Sequence, residues 1–287
     1  MSAVREGAVT LPDGRHVGWL EEGVPDGHPV FVFHGLPGSR YQRHPDAEIA
    51  IAAGARVIHP ERPGFGRSTP ALNRRLLDWP RDVAACADAL GIGRFSIAGI
   101  SGGGPYALAC AHALGDRVAR TAVVGGVGPP GSMPSGMLPL VRLGFAVAPY
   151  APALVRAVTL PLARVAVTAP DRHLRRVAAQ MAPADRPILA RDAVRAMFAA
   201  DYAAAFAQGV GAFAEDLALI AAPWGFTPAP AVGPAAFWHG ADDRMVPPSA
   251  SRALAAAMNA ALHERPGEGH FMIFDRWAEI LDWLVGD

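Results

Sequence analysis

The sequence contains no lysine and only two cysteines, and its charges cancel. All 26 basic residues are arginines, and 26 aspartates and glutamates balance them. A net charge of zero argues against nucleic acid and against an anionic membrane surface as partners. Cys86 and Cys110 fall in predicted helices, so we expect small buried side chains rather than a disulfide or a metal pair. The missing lysine and the many alanines indicate the coding bias of a GC-rich bacterium, which carries no information on mechanism.

Long apolar segments are missing as well. Residues 143–155 carry no charge, but this stretch of 13 residues contains two prolines and is too short to span a bilayer. Residues 1–10 are polar and lack the apolar centre of a signal peptide. We therefore expect no membrane insertion and a cytoplasmic location. A length of 287 residues is sufficient for one α/β core that carries an inserted lid.

Short apolar runs alternate with helical patterns over residues 1–128. Pro12-Asp13-Gly14 is a strong turn signal and predicts a hairpin. The alternation that follows predicts an α/β fold, with a mostly parallel twisted sheet and ligands at the carboxyl ends of its strands. The expected hairpin strands are 7–11 and 16–21; further strands are 29–33, 55–58, 95–98 and 120–124; the helices are 49–54, 76–90 and one from Gly104 onward.

A serine lies in the sharp turn that joins the strand 95–98 to the following helix. Ser101 stands in a Gly-x-Ser-x-Gly sequence, with Gly99 before it and Gly103 after it. Such a turn strains the serine backbone and exposes its hydroxyl, and side chains at 99 and 103 would clash across the turn. The N–H groups at the start of the helix point to where an oxyanion would form. Ser101 is therefore a candidate nucleophile.

The glycine-rich loop 34–39 leaves the buried strand 29–33. It is either an ordinary turn or a loop that presents backbone N–H groups to a ligand. Because Ser101 requires a second donor for an oxyanion, we favour the functional interpretation.

The pattern changes at about residue 127. Residues 129–134 are rich in helix breakers, and residues 135–222 lack strand signals. We predict several helices over 135–222 that form a lid, inserted before the core resumes. Its apolar underside is expected to line a substrate pocket, with the binding residues somewhere within 133–224. The expected breaks between its helices are Pro149, Pro152, Pro161, Pro170, Pro183 and Pro187.

Strand signals return at 235–238, followed by a loop with two adjacent aspartates, Asp242 and Asp243. A helix at 249–259, a strand at 261–265, a loop with His270 and a helix at 274–285 complete the chain. A serine hydroxyl needs a base, which histidine supplies, and a carboxylate fixes the histidine tautomer. The order Ser101, aspartate, His270 predicts such a triad. The residues alone leave open which of the two aspartates takes part.

These motifs together resemble the α/β-hydrolase superfamily. The resemblance implies the α/β-hydrolase fold, with a helical cap at 129–225 inserted after the sixth strand, between core segments 1–128 and 226–287. It also implies Asp243 as the triad acid and the backbone N–H groups of Leu36 and Gly102 as the oxyanion hole. His34 would be structural, and Asp216 would be a cap or hinge residue. The five motifs are His34-Gly35-x-Pro37-Gly38, Arg62-Pro63-Gly64-x-Gly66-x-Ser68, Gly99-x-Ser101-x-Gly103, Gly240-x-x-Asp243-x-x-Val246-Pro247 and Gly269-His270-Phe271.

The expected activity is serine-dependent hydrolysis of a small or medium hydrophobic carboxylic ester. No metal or other cofactor is expected, because the histidines lack ligand spacing and no dinucleotide fingerprint is present. The chain is expected to be a monomer or homodimer. Epoxide hydrolases and haloalkane dehalogenases of this superfamily have aspartate in place of Ser101, which disfavours both reactions.

Several alternatives to ester hydrolysis stay open. They are peptide cleavage of the proline iminopeptidase type, C–C bond or lactone hydrolysis, acyl transfer, and a ligand-binding sensor on the same fold. Proline iminopeptidases hold the substrate amine with acidic cap residues. The cap acids here are scattered: Asp171, Asp185, Asp192, Asp201, Glu215 and Asp216.

Overall fold

The described part of the chain, residues 4–131 and 137–286 of a computed structural model, forms one sheet of eight strands. This sheet confirms the α/β fold, and every predicted strand is present. The strands are β1 (Arg5–Thr10), β2 (His16–Gly23), β3 (His28–Phe33), β4 (Ala55–Pro60), β5 (Phe95–Ile100), β6 (Val118–Val124), β7 (Ala235–Gly240) and β8 (Ala261–Arg265).

The strand order across the sheet is β1-β2-β4-β3-β5-β6-β7-β8. The hairpin strands β1 and β2 are antiparallel, and all pairs from β4 to β8 are parallel. The chain passes from β3 to β4, which pairs with one edge of β3, and then crosses back to β5, which pairs with the other edge of β3. The carboxyl ends of β3 and β5 therefore flank a topological switch point, where open α/β sheets bind ligands.

The central strand β3 is buried on both faces. Phe31 and Phe33 pack into the core on one face, while Val30 and Val32 pack into the core on the other, as the two-residue period of a strand requires. All four side chains are at most 2% exposed. An uninterrupted apolar strand is stable here because helices cover both faces of the parallel sheet.

The helices α2, α3 and α10 cover one face, and α1 and α11 cover the other. The helices of the described residues are α1 (Glu48–Ala52), α2 (Trp79–Ala89), α3 (Gly104–Leu114), α4 (Pro139–Val147), α5 (Pro152–Thr168), α6 (Pro170–Gln180), α7 (Asp185–Leu189), α8 (Asp192–Ala205), α9 (Gly211–Ala221), α10 (Ser249–Met258) and α11 (Ile273–Val285). Cys86 and Cys110 are buried and unpaired in α2 and α3, as expected.

The helices α4 to α9 lie between β6 and β7. Residues 132–136 of the expected linker are outside the described part of the chain. Pro152 and Pro170 each begin a helix, but the expected breaks at Pro161 and Pro187 are wrong, since these residues lie within α5 and α7. Packing of α5 against α6, α8 and α9 outweighs the hydrogen bond that a proline removes.

No single helix within the described ranges is long and apolar enough to cross a membrane. The pair α5 and α6 meets the criteria of length and composition together, although the two helices are bent by 117°.

Candidate active site

Ser101 has a backbone φ of +50°, in the left-handed region that side chains rarely adopt. A β-carbon on Gly99 would lie 2.6 Å from the Gly103 carbonyl oxygen and 2.7 Å from Cβ of Ala107. A β-carbon on Gly103 would collide with the carbonyl oxygen of Phe33. The two glycines are therefore required, as the sequence predicted, because the turn packs tightly against its own helix and the neighbouring strand.

The loop after β3 brings its backbone close to the Ser101 turn. The amide nitrogen of Leu36 lies 3.3 Å from the position that a β-carbon on Gly102 would occupy. This geometry brings together the two residues that the resemblance named as oxyanion donors.

His34 holds this loop. Its Nδ1–H donates to the Gly35 carbonyl at 2.9 Å, and its Nε2 accepts the Arg62 backbone N–H at 3.2 Å. Burial and the charge of Arg62 hold the pKa of His34 well below its ordinary value. A neutral ring with one donor and one acceptor fits both bonds, so the environment of His34 is that of a structural residue.

His270 and Asp243 form a hydrogen-bonded pair. Nδ1 of His270 lies 2.7 Å from Oδ2 of Asp243. The other oxygen of Asp243 accepts the backbone N–H groups of Met245 and Val246, at 2.8 and 2.9 Å. Asp243 is buried, whereas the adjacent Asp242 is exposed. The structure therefore brings Asp243, rather than Asp242, to His270.

The two partners shift each other's pKa. Burial alone would raise the pKa of Asp243, but His270 and His239 hold that pKa well below its ordinary value. Burial alone would lower the pKa of His270, but the Asp243 carboxylate outweighs it and raises the pKa above 6.5. His270 thus has an ionised carboxylate partner, an arrangement that a histidine base requires.

The pKa of His270 predicts the pH dependence of activity. A histidine accepts a proton only when it is neutral, so kcat/KM should increase as the pH rises through the His270 pKa. Because Asp243 raises that pKa, we expect a midpoint above 6.5. The measurement is kcat/KM for an ester between about pH 5 and about pH 9. A rate that stays constant over this range would rule out His270 as the base.

A buried ion-pair cluster connects α9 to the loop that follows β3. Asp216 of α9 binds Arg62 Nε at 2.6 Å, the Tyr106 hydroxyl at 2.7 Å and the guanidinium of Arg74. Arg62 in turn donates to the carbonyl oxygens of His34 and Gly35, at 2.5 and 2.7 Å. The sequence had assigned Asp216 to the cap, but its contact with the Arg62 motif was not predicted.

Replacing Asp216 by asparagine should lower the free energy of unfolding by about 3–5 kcal/mol, because two buried arginines lose their counter-charge. Burial would raise the pKa of Asp216, but Arg62 and Arg74 lower it to about 2. Its contribution is therefore present above about pH 4 and is lost as the pH falls toward 2. Urea denaturation at neutral pH measures the loss.

The matched control is Asp192→Asn, in a cap carboxylate whose side chain is 98% exposed and 3.2 Å from Arg195. This change should leave the unfolding transition where it is. Equal effects of the two substitutions would show that the Asp216 cluster does not stabilise the fold.

Two other cap carboxylates bind core loops. Asp185, at the start of α7, accepts the backbone N–H groups of His270 and Phe271, at 3.1 and 2.8 Å. Asp201 of α8 accepts both the N–H and the hydroxyl of Ser39 at 2.7 Å. Both carboxylates are fully buried. Asp185 thus holds the His270 loop directly, a role that no local pattern indicates because the residues are 85 positions apart.

Two cavities meet at Ser101. The first has a volume of about 170 Å³ and lies under α6 and α8, beside His270. The second has a volume of about 340 Å³ and lies under α4, α5 and α9. Helices of the segment between β6 and β7 line both cavities. Within the described residues, no three of the histidine, cysteine, aspartate and glutamate side chains are grouped so that they could hold a metal ion.

Known proteins resemble this chain over part or all of its length. A non-heme chloroperoxidase from Streptomyces lividans is 35% identical over 125 residues, which are 43% of this chain and 45% of that protein. A bifunctional esterase/perhydrolase from Acinetobacter calcoaceticus is 31% identical, with the same coverage. The chain therefore matches less than half the length of these relatives. An esterase from Thermogutta terrifontis shares the fold, with a TM-score of 0.65 and 20% identity over 97% of this chain and 96% of that one.

The sequence model of the alpha/beta hydrolase fold family matches residues 28–276. This range includes the Ser101 turn, the Asp243 loop, the His270 loop and the helices between β6 and β7. The chain belongs to the α/β-hydrolase family.

Proposed function

We propose that this chain is a serine hydrolase that cleaves a carboxylic ester with an apolar acyl group. One observation carries the proposal. The strained Ser101 and His270, whose Nδ1 is hydrogen-bonded to Asp243, line a single cavity at the switch point of the sheet. A nucleophile, a base and a carboxylate that orients the base are the parts that acyl transfer to serine requires.

In the proposed reaction, Ser101 Oγ attacks the ester carbonyl while His270 Nε2 accepts the hydroxyl proton. The N–H groups of Leu36 and Gly102 stabilise the oxyanion, and Asp243 stabilises the imidazolium. The bond between the carbonyl carbon and the alcohol oxygen then breaks, and His270 returns its proton to that oxygen. Water attacks the acyl-enzyme by the same route and releases the acid. No cofactor takes part in these steps.

Peptide cleavage of the proline iminopeptidase type is less well supported. That reaction requires an acidic group to bind the substrate amine. Among the described residues that line the two cavities, none is an aspartate or glutamate. The buried cap acids Asp185, Asp201 and Asp216 are already bonded to core groups.

The first experiment is hydrolysis of p-nitrophenyl esters from acetate to decanoate. It is combined with labelling by a fluorophosphonate and peptide mapping. We expect turnover that peaks at one acyl length and a label on Ser101. Absence of ester turnover, or a label on another residue, would contradict the proposal. Release of p-nitroaniline from prolyl p-nitroanilide without ester turnover would favour the peptidase. A second alcohol that captures the acyl group in preference to water would indicate acyl transfer.

A further inference from the structure

The exposed apolar side chains of this protein are concentrated on two helices. Of the eleven large apolar side chains that are exposed in the described residues, eight lie within or between α4 and α5. The helix α4 contains no buried residue, and α5 buries only Val155, Ala163 and Ala166. A helix that is apolar on all sides is normally buried, so another surface has to cover these two.

Five of the eight side chains form the mouth of the second cavity. They line this cavity, yet they are between 47% and 62% exposed, so they lie where the cavity opens to solvent. The three on α5 are spaced four residues apart and therefore share one side of the helix. Because Ser101 lines the same cavity, the cavity extends from the apolar surface to the candidate nucleophile. The five residues are Leu140 and Leu143 of α4 and Leu154, Val158 and Leu162 of α5.

The other three side chains lie outside the cavities. Tyr150, Leu160 and Val167 line neither the first nor the second cavity, and Tyr150 is 88% exposed. A substrate inside the second cavity could not cover them, so the partner of this surface is larger than a substrate. We refer to these three residues and the five at the mouth as the α4–α5 face.

The net charge of the chain is zero, but the charges are unevenly distributed. Residues 139–180, which form α4 to α6, contain six arginines and one aspartate. Arg156 is paired with Glu215 at 3.0 Å, and the one aspartate, Asp171, is paired with Arg195 of α8 at 2.9 Å. Among the described residues, no carboxylate pairs with the other five arginines. They are Arg142, Arg164, Arg172, Arg175 and Arg176.

These arginines decide between two surfaces that could cover the α4–α5 face. A second copy of the chain would place its own arginines against those of the first copy, and like charges repel. An anionic lipid layer accepts apolar side chains at its acyl boundary and attracts arginines at its headgroups. The apolar stem of an arginine can also lie along such a boundary while its charge reaches the headgroups. Apolar side chains next to unpaired arginines therefore favour the lipid layer.

We propose that α4 and α5 dock on the surface of an anionic lipid layer, with the α4–α5 face at the boundary between headgroups and acyl chains. The protein then lies on the layer and does not span it. An ester dissolved in the layer enters the second cavity through its mouth and reaches Ser101 without passing through water. The delivery of the ester rests on the proposed ester hydrolysis, whereas the docking does not.

The first test measures binding to vesicles of phosphatidylcholine with about 30% phosphatidylglycerol, by co-sedimentation. The wild-type protein should bind. Leu160→Glu should bind about 10-fold more weakly, because it places a carboxylate in the apolar boundary. Tyr150→Glu is a second variant, at a side chain whose exposure makes a folding defect easy to avoid, and should have a similar effect. The matched control is Leu72→Glu, at an exposed leucine between β4 and α2, which should bind like the wild type.

A second test removes the charges one at a time. Arg172→Gln and Arg175→Gln should each weaken binding to the anionic vesicles about 5-fold, and vesicles of phosphatidylcholine alone should bind less protein. The matched control is Arg81→Gln, at an exposed arginine of α2, which should leave binding unchanged.

The delivery of the ester is tested with two substrates. p-Nitrophenyl acetate dissolves in water, whereas p-nitrophenyl decanoate partitions into the vesicles. Because Leu160 lines neither cavity, Leu160→Glu should keep the wild-type rate on the acetate. Its rate on the decanoate in anionic vesicles should fall about 10-fold, as its binding does. Leu72→Glu should keep both rates.

The outcomes separate docking from catalysis. No vesicle binding by the wild-type protein, or equal binding by Leu160→Glu and Leu72→Glu, would overturn the docking proposal while ester hydrolysis stands. A dimer in sedimentation velocity that Leu160→Glu dissociates, without vesicle binding, would assign the α4–α5 face to a second copy and overturn the proposal as well. A wild-type protein that binds the vesicles but hydrolyses neither ester would overturn the proposed function and the delivery of the ester, and the docking surface would stand.

Discussion

Replacing Ser101 by alanine is expected to lower kcat for ester hydrolysis by about 10⁶-fold. The substitution removes the oxygen that forms the acyl-enzyme, and His270 and the oxyanion donors have no nucleophile left to activate. Alanine meets the same backbone strain at φ +50°, so the fold should persist. Steady-state assays with p-nitrophenyl butyrate measure kcat, and a thermal unfolding curve verifies that the variant is folded.

The control for this substitution is Ser249→Ala. The Ser249 hydroxyl is buried without a hydrogen-bond partner, at the start of α10. Removing it should leave kcat unchanged. A Ser101→Ala protein that keeps more than about 1% of wild-type kcat would show that another group is the nucleophile.

The second large effect is expected for Asp243→Asn, which should lower kcat about 10⁴-fold. The asparagine oxygen can still accept the N–H groups of Met245 and Val246, so the loop keeps its shape. Its NH₂ group then faces His270 Nδ1 and favours the tautomer with the proton on Nε2. In that tautomer, His270 cannot accept the Ser101 proton.

The same change at Asp242 provides a matched comparison, because this residue is adjacent in sequence but exposed. We expect Asp242→Asn to retain wild-type kcat. If Asp242→Asn lost activity and Asp243→Asn kept it, the carboxylate assignment would have to be reversed. Steady-state kinetics of both variants on one ester provide the answer.

The strands and the Ser101 turn could be predicted from the sequence because their causes are local. The apolar run of β3 requires burial on both faces, whichever helices supply it. Gly99 and Gly103 are needed by a turn that spans only a few residues, and the structure shows that a β-carbon at either position would clash. Ser101, Asp243 and His270 each follow a predicted strand. Because parallel strands end at the same edge of the sheet, the sequence also predicted that these residues lie at one edge.

Other parts of the site depend on residues that are far apart along the chain. The choice between Asp242 and Asp243 was open from the residues alone, since adjacent side chains differ in direction and burial only once the loop folds. Pro161 was expected to end a helix, yet tertiary packing keeps α5 continuous through it. The unfavourable helix propensity of one proline is outweighed by the packing free energy of the whole helix α5, so local propensity could not predict that α5 continues through Pro161.

The sequence by itself therefore determined the fold, the position of the Ser101 turn and the types of residue at the candidate site. Tertiary structure alone decided how the cap attaches to the core, through Asp185 on the His270 loop, Asp201 on Ser39 and Asp216 on Arg62. It also created the two cavities. The physical reason is that periodicity and turn chemistry act over a few residues, whereas a buried carboxylate or a cavity exists only where distant segments meet.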